Sequence, residues 1–163
     1  MYRRMVKRRI TKTFDEVSAG NYQAVVERFG TQPVHWFAGD HALGGTRDNL
    51  PDIETWYARW ARLLPDLAFD VTDVMVAGPP WRMKVAVEWV QTGEADRVGA
   101  YRNTGVHIIQ LRWTRTVSQR VHCDTAALAD YLHRLRASGV REASADPIGA
   151  APTPLPQRRR DVS

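Results

Sequence analysis

The chain has 163 residues, 44% of them apolar and 25% charged, which excludes a disordered or membrane-embedded polypeptide and suits one globular domain with its own core. Its net charge of +5 is unevenly placed: Arg3, Arg4, Lys7, Arg8, Arg9 and Lys12 crowd the start, Arg158 to Arg160 the end, and the body between is mildly acidic. That distribution reads as solvated termini rather than a nucleic-acid footprint, and the lone Cys123 excludes an intrachain disulfide.

In chain order, Met5, Val6, Ile10, Phe14 and Val17 recur at helical intervals and predict a first helix, ended by Gly20-Asn21. Asn21 opens a second, short helix carrying Tyr22, Val25, Val26 and Phe29, stopped by Gly30. A brief strand over Val34 to Phe37 follows, then a Gly-rich loop from Ala38 to Asn49. Asn49 and Pro51 start a third helix with Ile53, Trp56, Trp60, Leu63 and Leu64 on one face until Pro65.

From Ala68 the period becomes two. Ala68 to Val76, Trp81 to Gln91, Arg102 to Trp113 and Thr116 to Cys123 read as four hairpin-linked strands of a largely antiparallel sheet. A last helix starts at Asp124 or Thr125, buries Leu128, Tyr131, Leu132 and Leu135, and ends at Gly139. The expected organisation is a basic extension of the first helix over 1–12, one α+β domain over 13–146 and a disordered Pro-, Ala- and Arg-rich tail over 147–163. No signal peptide or apolar span is readable, so a cytoplasmic protein without membrane or nucleic-acid partners is expected.

Side chains alternate faces on a strand, so Trp81, Met83, Val85, Val87 and Trp89 form one apolar face. With Trp56 and Trp60 they place four indoles toward one interior, more aromatic surface than a modest core needs. Plain core packing accounts equally well for Trp56, Trp60 and Trp89. Trp81 and Met83, straight after Gly78-Pro79-Pro80, are expected at the mouth of a pocket, where an adaptable methionine suits a greasy ligand.

Polar candidates are few. His107 shares a strand face with Asn103, Ile109 and Leu111 and is the natural acid or base of a catalytic pocket, unless it only bonds a carbonyl. Asp124, at the last strand–helix junction, is either an acid/base or a helix cap, and Tyr101 and Asn103 are placed to orient a carbonyl. His35, His41 and His122 are isolated and form no metal-ligand spacing; of these, His35 is counted with the pocket wall. No GxSxG elbow or phosphate loop is present, which removes hydrolase and kinase readings.

The segments LLPDLAFDVTDV, GPPWRMKVAVEW, YRNTGVHIIQLRW and VHCDT, in this order and within Thr11 to Ala143, resemble the SnoaL-like branch of the nuclear-transport-factor-2-like (NTF2-like) superfamily. The resemblance implies a cone-shaped α+β barrel with N-terminal helices packed into a curved, mostly antiparallel sheet, a deep apolar cavity, no cofactor and a homodimer. Members include polyketide cyclases, ketosteroid isomerases, limonene-epoxide-type hydrolases, cycloaddition enzymes and proteins that only bind. Asp124 in VHCDT looks like the aspartate that serves SnoaL-like cyclases as acid/base at the end of the last long strand. His107 departs from the acid that isomerase relatives carry on the preceding strand, and neither their tyrosine nor the Asp–Arg–Asp set of the epoxide hydrolases is complete. The expectation is a cofactor-independent cyclase closing a carbon–carbon ring on a hydrophobic polyketide-like substrate of antibiotic-type metabolism, by aldol chemistry or cycloaddition. The alternatives are a non-catalytic binding or assembly module, and an isomerase or epoxide hydrolase of steroids or terpenes.

Overall fold

A computed structural model describes residues 1–95 and 98–149. The expectation of a disordered tail lies, beyond residue 149, outside the described residues; Ile148, just before that limit, packs against the core. No helix among the described residues is long and apolar enough to cross a membrane.

Helix α1 runs over Tyr2–Ser18 and buries Val6, Ile10, Thr13, Phe14 and Val17, whose three- and four-residue spacing sets one stripe against the sheet. Met5, expected on that stripe, is exposed because it lies off the buried arc. Gly20, at φ 83°, ends the helix: Gly20 N–H donates to Val17 O and Asn21 N–H to Glu16 O, a turn that needs a left-handed residue. Helix α2 is one turn, Gln23–Val26, and stops before Phe29, which already belongs to strand β1, Phe29–Phe37.

The predicted Gly-rich loop contains a short strand, β2 (Gly45–Arg47), paired antiparallel with the end of β1. Asn49 caps α3 (Leu50–Leu63) by accepting from Asp52 N–H, and Pro51 sits in the first turn. Strand β3 spans Ala68–Ala77, β4 Met83–Ala95, β5 Gly99–Arg112 and β6 Arg115–Cys123; α4, Thr125–Ala137, follows.

The six strands form one curved sheet in the order β2-β1-β6-β5-β4-β3. It is antiparallel except where β1 lies parallel to β6, a pairing between strands far apart in sequence. Register shifts after Val71 in β3 and after Gln110 in β5 are bulges of the kind that bend a sheet. The α+β class holds, and among the described strands β2 and β3 remain edges, so the cone is unclosed rather than a full barrel. Helices α1 and α3 pack on the concave face, and the core between includes Leu43, Ile53, Leu63, Val85 and Val87.

One strand expectation is corrected. Trp81 lies in a 3-10 turn, Pro80–Arg82, ahead of β4, and is 58% exposed. The two prolines and Gly78 delay the strand to Met83, so alternation cannot turn Trp81 inward.

Candidate active site

A narrow cavity of about 60 Å³ lies between α1, α3 and the concave face of the sheet. Ile10, Phe14 and Val17 line it from α1, and Trp56, Tyr57 and Trp60 from α3. Phe37, His107, Ile109 and Gln119 rise from the sheet, and Phe69 faces them from β3.

The register explains the polar positions. Phe37 pairs with Val121 and Val121 with His107, so these three cross the sheet in one row; His35, Gln119 and Ile109 form the next. Directly paired residues share a face, and this face is the concave one.

His107 is a buried polar group of the cavity wall. Its ring meets Phe14 edge-on, with centroids 5.1 Å apart, and Trp89 Nε1–H donates to its Nδ1 at 2.7 Å. An indole nitrogen can only donate, so Nδ1 is the acceptor and the ring proton sits on Nε2. Burial, with a smaller push from His122, drives the His107 pKa down to about 3. His107 is therefore neutral at physiological pH and offers a hydrogen-bond donor. That changes the expected acid/base role.

The Trp89–His107 contact depends on a residue that sequence reasoning passed over. Gly105 pairs with Trp89 across β4 and β5, and a Cβ on Gly105 would stand 2.6 Å from the indole ring. The missing side chain is the space in which the indole lies. A glycine inside a strand of otherwise bulky residues is a recognised sign of close approach, so the signal was available in TGVH.

Between the sheet and α3, Gln119 Nε2–H donates to Tyr57 Oη at 2.9 Å. Burial raises the Tyr57 pKa to about 12, so the phenol keeps its proton and has it free to donate. Neither residue was anticipated, because a tyrosine between two tryptophans on a helix carries no separate pattern. Several contacts hold Trp56, among them its Nε1–H donating to Leu43 O at 2.8 Å, Trp60 stacking at 6.2 Å, and the buried Arg47 5.4 Å over its face.

Of the residues expected at the site, the structure brings His107, Trp56 and Trp60 to the cavity and places Trp89 directly behind His107. His35 is fully buried beside Trp56 and Tyr57 but does not line the cavity. Neither ring nitrogen has a partner among the described residues, and burial, Arg47 and His107 hold its pKa well below the ordinary value. Met83 is buried outside the cavity, and Trp81 packs on Trp113 at the surface.

Tyr101, Asn103 and Asp124 form a separate cluster. Asn103 Nδ2–H donates to Tyr101 Oη at 2.7 Å and to Asp124 O at 3.0 Å, while its Oδ1 accepts from the N–H groups of Thr104 and Asp124. Asp124 Oδ1 accepts from Ala126 and Ala127 N–H, capping α4. Asn103 precedes His107 by four residues on β5, roughly 13 Å along a strand. The three residues therefore sit at the far end of β5 from the cavity.

No protein-family model and no curated protein sequence matches the chain. Solved structures do match in shape. PrhC from Penicillium brasilianum NBRC 6234 aligns with a TM-score of 0.69 at 16% identity, over 81% of this chain and 89% of PrhC. An NTF2-like protein of unknown function from Burkholderia pseudomallei K96243 aligns with a TM-score of 0.67 at 13% identity, over 77% and 95% of the two chains. This chain has the NTF2-like fold. A protein proposed to be a SnoaL-like polyketide cyclase, from Jannaschia sp. CCS1, aligns with a TM-score of 0.61 at 19% identity, over 73% and 85%.

Within this NTF2-like cone, no Asp or Glu lines the cavity among the described residues. The polar lining consists of Thr13, Arg28, Tyr57, His107, Thr116 and Gln119. Arg28 is engaged by Glu16 Oε2 at 2.7 Å, Ala24 O and Thr13 Oγ1. Among the described residues the cavity lining thus sets hydrogen-bond donors against aromatic walls and carries no carboxylate.

Proposed function

We propose that this chain is a cofactor-independent cyclase that folds a hydrophobic, carbonyl-bearing polyketide-like substrate and closes a carbon–carbon ring by cycloaddition. The observation that carries the reading is the Trp89–His107 hydrogen bond, which fixes an Nε2–H donor deep in an apolar cavity. Bound to a conjugated carbonyl, that donor draws electron density from the adjacent double bond and lowers the barrier to ring closure. Aromatic walls hold the reacting ends together, which supplies up to about 7–11 kcal/mol where the geometry is productive. Two σ bonds replace two π bonds in such a closure, and no proton leaves the substrate.

That proton balance is why cycloaddition is preferred to an aldol reaction, which needs a base the cavity lining lacks. The steroid or terpene isomerase and epoxide hydrolase readings need a carboxylate and draw no support from this lining. A ligand-binding module is the second reading, favoured by how few polar groups line the space.

The test is turnover of linear polyenone substrates followed by mass and NMR analysis. A product of unchanged mass with a new ring, formed at a rate that is flat between about pH 5 and about pH 9, is expected, because neither His107 nor Tyr57 titrates there. His107→Phe is expected to lower kcat about 10²-fold with KM little changed, and His107→Gln, which keeps an N–H, to lose less. Saturable binding with no conversion would establish the module reading instead.

A further inference from the structure

A second narrow chamber, of about 80 Å³, lies between the first half of α1 and the turn joining β5 to β6. It shares Ile10, Arg28 and Thr116 with the first cavity, so the two spaces abut along one wall. Its remaining surface combines apolar groups, among them Tyr2, Val6 and Leu111, with Arg9 and the exposed ring of Trp113. No acidic residue lines it.

The two arginines differ. Arg28 is neutralised by Glu16 at 2.7 Å. The guanidinium of Arg9 makes no ion pair or hydrogen bond within the described residues, although its carbonyl accepts from Thr13 Oγ1. The α1 sequence supplies no acid before Asp15, so nothing on that helix offsets Arg9 from its own first half. An apolar slot with one uncompensated guanidinium at its edge matches a ligand end that is aliphatic and finishes in a carboxylate, whose planar oxygens fit a guanidinium fork.

We infer that the second chamber seats the carboxylate end of an amphiphilic ligand whose apolar body lies in the first cavity, with Arg9 as the residue that selects the charged end. The inference rests on the reading of the first cavity as the ligand site. It adds that the natural substrate is an acid rather than a neutral hydrocarbon or ester, and that Arg9 sets this preference.

The experiment is calorimetric titration of the full chain at low salt with dodecanoate and, separately, methyl dodecanoate. Dodecanoate is expected to bind about tenfold more tightly, the scale of one partly exposed charge-assisted hydrogen bond. Arg9→Gln is expected to remove that difference while leaving the ester's affinity as it was. Arg8→Gln, an equally exposed change on α1 that does not line the chamber, is expected to keep it. Equal affinity of acid and ester, or loss of the preference in both variants alike, would overturn the carboxylate seat and leave the first cavity standing. Binding of neither probe would overturn both.

Discussion

The two ends of strand β5 carry polar side chains on the same inward face, yet they are built to opposite designs. At the Tyr101–Asn103 end, Asn103 spends both its amide hydrogens and its oxygen inside the protein, on Tyr101, Thr104 and Asp124. At the His107 end, one ring nitrogen is committed to Trp89 and the other lies in a wall of an open cavity. A buried polar group whose valences are all filled by protein holds the fold together. One with a donor left over beside empty space is available to a ligand. By that criterion we read the Asn103 cluster as a staple between β5, β6 and α4, and His107 as part of the proposed site.

The largest effect that separates the two ends is on stability. Asn103→Leu keeps the volume but strips partners from Tyr101 and from the backbone at Thr104 and Asp124, so a loss of about 3 kcal/mol is expected. Urea unfolding measures it as a fall in midpoint at unchanged slope. The folded fraction should convert substrate at the rate of the parent chain. A variant of full stability but no turnover would mean that Asn103 touches the ligand.

At the other end, Trp89→Phe sharpens the comparison by removing the indole N–H along with part of the buried ring. The ring of His107 then loses the partner that fixes its tautomer, and Nδ1–H and Nε2–H forms compete. A fall in kcat of about tenfold with KM little changed is expected, since a donor that is only partly populated weakens stabilisation of the transition state. Nitrogen-15 spectra of the imidazole should show the single Nε2–H tautomer in the parent and a mixture in the variant. A purely structural Trp89 would lower stability and leave that signature unmoved.

How much of this was legible in the sequence follows from the range of the interactions involved. The stripe Val6, Ile10, Phe14 and Val17 and the alternation in β4 and β5 are local patterns, so the helices, the strands and the α+β class could be read directly. The parallel pairing of β1 with β6 joins segments more than eighty residues apart, and β2 exists only because β1 offers it an edge. Neither leaves a local trace. Placing Trp81 inward failed because Gly78 and the prolines displaced the strand start, which alternation does not register. His107 was legible as a polar residue among apolar neighbours. Its tautomer was not, because that is set by Trp89, a residue eighteen positions away. The Tyr57–Gln119 pair was hidden for the same reason: its partners meet only when α3 closes over β6.

Asp124 gives the smallest effect and the strictest discrimination. Its carboxylate caps α4 through Ala126 and Ala127 N–H, so Asp124→Ala leaves two helix donors to water at an exposed site, a cost of about 1 kcal/mol. Asp124→Asn retains an oxygen acceptor there and should cost less still, since Asn caps as well as Asp. Neither change reaches the cavity, so turnover per folded molecule is expected to stay within about twofold of the parent in both, whereas a true general acid or base would lose about 10²-fold or more. The asparagine variant is the decisive one, because it separates charge from capping. If it unfolds no more easily than the parent yet loses turnover, Asp124 reaches the substrate in a conformation other than this one, and the division between the two ends of β5 fails.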